Sequence, residues 1–401
     1  MSREIVVTTH EQALEVYRNK DLRQALYDDG DVVMGDVLVN LHGQDHRARR
    51  RLENRLFRRP ALLHYERDLF PGIMEATLRP HVEAGEADLV SLGHQLMMNL
   101  SALTAGVDRP EGTPAETDRL YAYLRTFIEG ATLGHYTGDR DAKRAEVADA
   151  LLQFDEEFLA PAIDRRMAIL AAIEAGDQPE DAMPPDILAV LLTNDDDLHL
   201  PRETIRREIS FYLLAGAHTS ATAFTRVTHN VLEWVAAHPD DADRVVTDRD
   251  FVQRCMHETV RLEPSSPTGA RWALADITLE DGTEIHEGDK VIIDLMAVNR
   301  DPSIWPVAAD KFDPDRAPSD DAAPSGLSFG YGMHHCIGMD LAAGAPLRPG
   351  QSPDERLWGL VPVAVQWLFD NGCQAHPVDA PESDESTTRP YFGRYPVVFA
   401  S

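Results

Sequence analysis

Near the C-terminal end of the chain run Phe329-Gly330-Tyr331-Gly332-Met333-His334-His335-Cys336-Ile337-Gly338, a cysteine in a glycine-punctuated loop that leads into an apolar, alanine-rich stretch. A thiolate is a nucleophile and a strong metal ligand, provided its surroundings keep it deprotonated. Glycines let the backbone turn so that N–H groups approach the sulfur, and the first turn of a following helix adds positive partial charge. Two other readings of these residues stand open. Cys336 could be a buried thiol in a tight turn. Alternatively His335 and Cys336 could join Cys373 and His376, spaced C-x2-H, as four ligands for zinc.

The order aromatic-Gly-x-Gly-x-His-x-Cys-x-Gly resembles the haem-binding loop of the cytochrome P450 family, with every fixed position filled. The resemblance implies a mainly α fold with a smaller β portion, with haem b between a long distal helix and the proximal cysteine loop. It makes Cys336 the axial iron ligand, whose thiolate pushes electron density that favours O–O cleavage. Phe329, Gly330, His334 and Gly338 are the accompanying loop residues.

Upstream residues extend the resemblance. Glu258 and Arg261 form an E-x-x-R at i, i+3, close enough on one helical face to pair. Followed by a β-rich stretch and Phe312-Asp313-Pro314-Asp315-Arg316, they resemble the family's brace for the cysteine loop, with Arg316 as the third member. Such a cluster is better justified as positioning the loop than as adding net stability. Haem carries two propionates, which need cationic or hydrogen-bonding partners. His46 and Arg50 (H-x-x-x-R, one helix face), Arg271 and His334 match the family's propionate ligands.

The segment Phe211-Tyr212-Leu213-Leu214-Ala215-Gly216-Ala217-His218-Thr219-Ser220 resembles the family's oxygen-activating helix, where small residues let the helix deform and a threonine hydroxyl orients O2 and water. Ala215, Gly216 and Thr219 match. His218 stands where the family usually has an acid, and it either relays protons itself or points away and leaves the relay to water. The substrate pocket is expected from residues 31–41, Phe211 to Ala215 (Phe211 and Leu214 foremost), Ser265 to Thr268 (including Ser266), and the turn around Tyr391 and Phe392.

The elements that must hold these groups are mostly helical. Periodicity predicts helices over 9–28 and 42–59, a run of helices from about 62 to 236 that ends in a long one over 202–237, and another over 248–262. Residues 270–301 alternate between Asp-Gly and Glu-Gly turns and predict a small sheet with hairpins. At 344–353 three prolines and two glycines predict an insertion that breaks the proximal helix, which resumes near Asp354. The H-x-x-x-R pair begins at residue 46, so the family's first helix and part of its sheet are expected to be short or absent, with a more open entry for substrate.

With 401 residues, 43% of them hydrophobic, the chain suffices for one large core, so residues 1–401 are expected to form a single domain. Three widely spaced cysteines suit a reducing compartment. The N-terminal residues show no signal core or membrane-spanning run, so a cytoplasmic monomer is expected. A net charge of −30 argues against nucleic acid and anionic membranes as partners. Against that trend, residues 46–59 hold seven arginines and one glutamate. Arg47, Arg51, Arg55 and Arg58 are either a solvated face or, as the resemblance implies, a dock for an acidic ferredoxin.

The expected function is therefore monooxygenation of a small-to-mid-sized organic molecule. It would use O2 and two electrons passed from NAD(P)H through ferredoxin reductase and ferredoxin. Because the usual distal acid is missing, a peroxide-using enzyme, or one catalysing coupling or isomerisation, is the nearest alternative. A non-catalytic metal- or haem-binding module is the alternative of another class.

Overall fold

One helix, Arg202–Ala237, runs for 36 residues, about 54 Å at 1.5 Å per residue, and the other elements are arranged around it. The computed structural model describes residues 3–194, 198, 200–316, 322–345, 350 and 352–400. Ile209, Leu213, Ala217, Phe224 and Val231 of the long helix are fully buried, chiefly against the apolar helix Leu89–Ala105. Two glycines set how closely these helices pack. A Cβ at Gly93 would stand 2.9 Å from the Phe224 ring, and one at Gly216 would stand 2.4 Å from Ser101 Oγ. Any larger residue at either position would push the helices apart.

The helix Arg249–Leu262 starts where Asp248 accepts a hydrogen bond from the Phe251 amide, an N-cap, and it buries Phe251, Val252, Cys255 and Met256. After Pro264 the chain turns to strand, as the alternation predicts. The hairpin Ile277–Thr278 with Glu284–Ile285 closes through Gly282 at φ +88°. The larger sheet is four-stranded, in the order Glu4–Val7, Lys290–Asp294, Thr268–Ala273, Leu22–Gln24. Its outer strands come from the start of the chain, which periodicity within 270–301 could not reveal.

Several element boundaries differ from expectation. The helix expected over 9–28 ends at Arg18, and residues 22–24 form a strand because Leu22 and Gln24 both face inward beside Thr268–Ala273. The helix expected over 42–59 divides into Gly43–Glu53, a 3-10 turn Asn54–Phe57 and a helix Arg59–His64 that begins with Pro60 near its N-terminus. The proximal helix is short, Met339–Ala343. Residues 346–349 and 351, the middle of the expected insertion, lie outside the described residues. Helix does not resume at Asp354, which sits in a 3-10 turn, but at Leu360, after Gly359 adopts φ +89°. Among the described residues no helix is long and apolar enough to cross a membrane.

Candidate active site

A cavity of about 320 Å³ lies between the long helix, the cysteine loop and the helix Gly43–Glu53. Cys336 opens onto it. The loop is shaped locally: the Cys336 amide donates to the Phe329 carbonyl at 2.8 Å, and the Gly330 amide donates to that of Leu327 at 2.8 Å. Gly330 and Gly332 both adopt φ +68°, and a Cβ at Gly332 would come 2.7 Å from the Tyr17 carbonyl oxygen. Burial raises the Cys336 thiol pKa, opposed by the Gly338 amide, the Arg50 guanidinium and the Met339 amide. These are the groups that would hold a thiolate once a metal displaced the proton.

The brace forms as the spacing suggests. Arg261 meets both oxygens of Glu258 at 2.7 Å, and Arg316 Nε reaches the same carboxylate at 3.1 Å. Arg261 also donates to the carbonyls of Asn299 and Ala309 at 2.8 Å. Sequence reading missed Asn299, which links the brace to the loop. Its amide nitrogen donates to the Arg261 carbonyl at 3.0 Å and to Ser328 Oγ at 2.8 Å, while its oxygen accepts the Leu327 amide at 2.8 Å. The buried ion pair thereby fixes the residues just before Phe329.

His46, Arg50, Arg271 and His334 converge on one end of the cavity. Burial, first of all, lowers His46 to about 4 and His334 to about 3, with the Arg50 charge contributing to both, so both rings are neutral near pH 7. Three of their ring nitrogens are buried without a partner, a rare and costly condition in a finished site. Arg271 is buried with a carbonyl and Gln24 as acceptors, and it has no carboxylate partner among the described residues. Unpaired donors and an uncompensated cation beside an open thiol fit an anionic group with a metal at its centre. Among the described residues no three His, Cys, Asp or Glu side chains cluster to hold a metal, and the zinc set of His335, Cys336, Cys373 and His376 is not assembled. A single sulfur donor would suit an iron whose other ligands were supplied by a porphyrin.

On the opposite wall Ala215, Gly216 and Thr219 line the cavity, with Phe211, Ser266 and Thr268 further out. The long helix is unbroken here, contrary to the deformation that the resemblance implied, and Thr219 Oγ1 donates to the Ala215 carbonyl at 2.8 Å. His218 does not face this cavity. It lines a second cavity on the other side of the helix and stacks on His94 with centroids 5.7 Å apart, so of its two readings the placement fits the one in which it points away, and not the direct relay. Tyr391 and Phe392 also line the second cavity, and Leu214 is packed in the core, so none of the three forms part of the expected pocket wall. Of residues 31–41 only Leu38 and Val39 reach the cavity.

Arg47, Arg51, Arg55 and Arg58 are exposed, one turn apart along Gly43–Glu53 and the segment after it. Arg49, between them in sequence, turns inward to Glu208 at 2.6 Å. Sequence reading missed that cluster: Glu53 and Glu208 are both buried beside Arg49, with Tyr212 donating to Glu53 at 2.6 Å. Burial and their mutual repulsion raise the carboxyl pKa of Glu53, and burial raises that of Glu208 to about 7.

A family model described as Cytochrome P450 matches residues 164–344. Pulcherriminic acid synthase of Bacillus subtilis (strain 168) is 26% identical over 318 residues, 78% of this chain and 71% of that protein. Cytochrome P450 4F8 of Homo sapiens is 28% identical over 183 residues, 39% of this chain, and the match spans only 34% of that relative's length. Among solved structures, P450BioI in complex with hexadec-9Z-enoic acid ligated acyl carrier protein superposes with a TM-score of 0.73 at 20% identity, covering 98% of this chain and 92% of that one. The superposition supplies the fold, and the sequence match runs through the long helix and the brace to the cysteine itself. On that evidence, residues 164–344, which carry the long helix, the brace and the cysteine, match the cytochrome P450 family, and the chain has the fold of its solved members.

Proposed function

We propose that this chain is a haem-thiolate monooxygenase that oxidises a small-to-mid-sized organic molecule with O2 and two electrons. One observation carries the reading: an open Cys336 faces the same cavity as the unpaired nitrogens of His46 and His334 and the uncompensated Arg271. Haem b bound there supplies a reducible iron at which O2 is activated. Cys336 Sγ holds the iron, with the amides of Gly338 and Met339 and the Arg50 charge favouring the thiolate. His46, Arg50, Arg271 and His334 hold the propionates by charge and N–H donation.

Thr219 Oγ1, by leaving the Ala215 carbonyl, offers its hydroxyl proton to the cavity. Phe211, Ser266 and Thr268 orient the substrate and exclude water from around it. The electrons come from NAD(P)H through a ferredoxin reductase and a ferredoxin that docks on Arg47, Arg51, Arg55 and Arg58, in a cytoplasmic setting. A specific observation favours a second reading, use of peroxide: among the described residues no carboxyl group lines the cavity, and His218 faces elsewhere. Turnover with reduced ferredoxin and O2, compared with turnover on hydrogen peroxide alone, separates the two. Product formed with O2 supports the monooxygenase, and product formed only with peroxide overturns it.

A further inference from the structure

Asn299 follows the short helix Leu295–Val298 and is fully buried. It and Arg261 bind each other reciprocally: the Arg261 guanidinium donates to the Asn299 carbonyl at 2.8 Å, and Asn299 Nδ2 donates to the Arg261 carbonyl at 3.0 Å. That carbonyl lies in the last turn of the helix Arg249–Leu262, where no helical amide is left to satisfy it. The neighbouring Val260 carbonyl is met in the same way, by Ser328 Oγ at 2.5 Å. The end of the brace helix is thus capped from outside, once by Asn299 and once by the loop that leads to the cysteine.

The partners fix which way the carboxamide points. Ser328 gives its proton to Val260, so its oxygen accepts the second Nδ2 proton of Asn299 at 2.8 Å, and Asn299 Oδ1 accepts the Leu327 amide at 2.8 Å. Two donors and an acceptor on so short a side chain are found only in asparagine. An aspartate would set a bare oxygen against the Arg261 carbonyl. A glutamine is a methylene longer, and the chain already turns tightly over Oδ1 at Gly326, φ +59°, where a Cβ would stand 2.4 Å from that oxygen.

From Asn299 the bonds run on to the sulfur. Leu327 and Ser328 are held by this one side chain, and the next residue, Phe329, accepts the Cys336 amide at 2.8 Å. Beyond the cysteine, the amides of Gly338 and Met339 donate to its sulfur. A shift of Leu327 and Ser328 would therefore swing Cys336 relative to those two amides. N–H donors draw charge from a ligating sulfur, and hydrogen bonds around a metal's ligands help to set its potential.

We infer that Asn299 is a positioning residue for the thiolate: through Leu327, Ser328 and Phe329 it sets where Cys336 Sγ sits against the Gly338 and Met339 amides, and so how strongly the sulfur donates to the iron. The inference rests on the haem-thiolate reading. Asn299→Leu keeps the shape of the side chain and removes its three hydrogen bonds. Hydrogen exchange at the Cys336 amide should quicken at least about tenfold in this variant. Its haem potential should move negative, because weaker N–H donation leaves more charge on the sulfur. Ser328→Ala breaks one of the three bonds and should move both readings the same way by less. Phe154→Leu, a core change lining neither cavity, is the control for general destabilisation and should leave both where they are. Unchanged exchange at Cys336 in Asn299→Leu, or equal changes in Phe154→Leu, would overturn the inference. Faster exchange at an unmoved potential would also overturn it, by making Asn299 structural only. A wild type without the thiolate-type carbonyl spectrum defeats the haem-thiolate reading instead, and the exchange rates then decide alone whether Asn299 positions the cysteine. Ser328→Ala decides the matter if Asn299→Leu fails to fold.

Discussion

His46 and His334 face each other with ring centroids 4.4 Å apart, and both nitrogens of His46 and Nε2 of His334 are buried without a partner. Two neutral imidazoles left this way are costly unless an acceptor completes them. If propionates do so, replacing each histidine by phenylalanine removes one hydrogen bond to a charged group, about 1.5–3 kcal/mol. The double variant His46→Phe/His334→Phe should release haem to an acceptor globin at least roughly 10-fold faster than wild type. Equal release rates would count against these residues as propionate ligands.

Loss of the brace should loosen the cysteine loop as well as destabilise the chain. Arg261→Met leaves Glu258 buried with only Arg316 beside it, at a cost of about 3–5 kcal/mol. The double variant Glu258→Gln/Arg261→Met should cost less than the sum of the single changes. Urea unfolding and retained haem measure the two effects. Full haem retention in a destabilised Arg261→Met protein would make the brace structural only.

The buried pair Glu53 and Glu208 sets a pH dependence with a definite sign. Both carboxyl pKa values are raised on folding, that of Glu208 from 4.5 to about 7, so the folded chain binds protons more tightly there. Stability from this source is complete below pH 4.5 and is lost as pH rises toward 7. Glu53→Gln keeps an oxygen for Tyr212 and removes one charge. Relative to wild type it should gain about 1–3 kcal/mol between pH 5 and pH 8. Parallel stability curves from urea unfolding across that range would show that the two carboxyls do not share a proton.

The exposed arginines should act on encounter. Reversing two of them, Arg47→Glu with Arg51→Glu, should lower the ferredoxin-supported rate several-fold at low ionic strength, with the difference shrinking as salt is added. An unchanged rate and unchanged salt dependence would return the strip to an ordinary solvated face.

How much was legible in the sequence depended on how local each signal was. The cysteine loop and the E-x-x-R pair are short-range patterns whose geometry follows from turns and helix periodicity, and the long helix could be read from its own residues. The four-stranded sheet could not be read in full, because its outer strands, Glu4–Val7 and Leu22–Gln24, pair across more than two hundred residues. Arg49 looked like its neighbours in composition, and only the fold turns it inward onto Glu208. The direction of His218 was equally hidden, since a helix of known span still leaves open which packed neighbour, here His94, receives a given side chain.

The central claim is that Cys336 ligates haem iron, and the difference spectrum of the reduced protein with carbon monoxide tests it most directly. The wild type should show the red-shifted Soret band of a thiolate-ligated ferrous–carbonyl haem, and Cys336→His should move that band to the position of imidazole ligation while haem is retained. A wild-type protein without a haem signal, or a Soret band that Cys336→His leaves in place, would contradict the account.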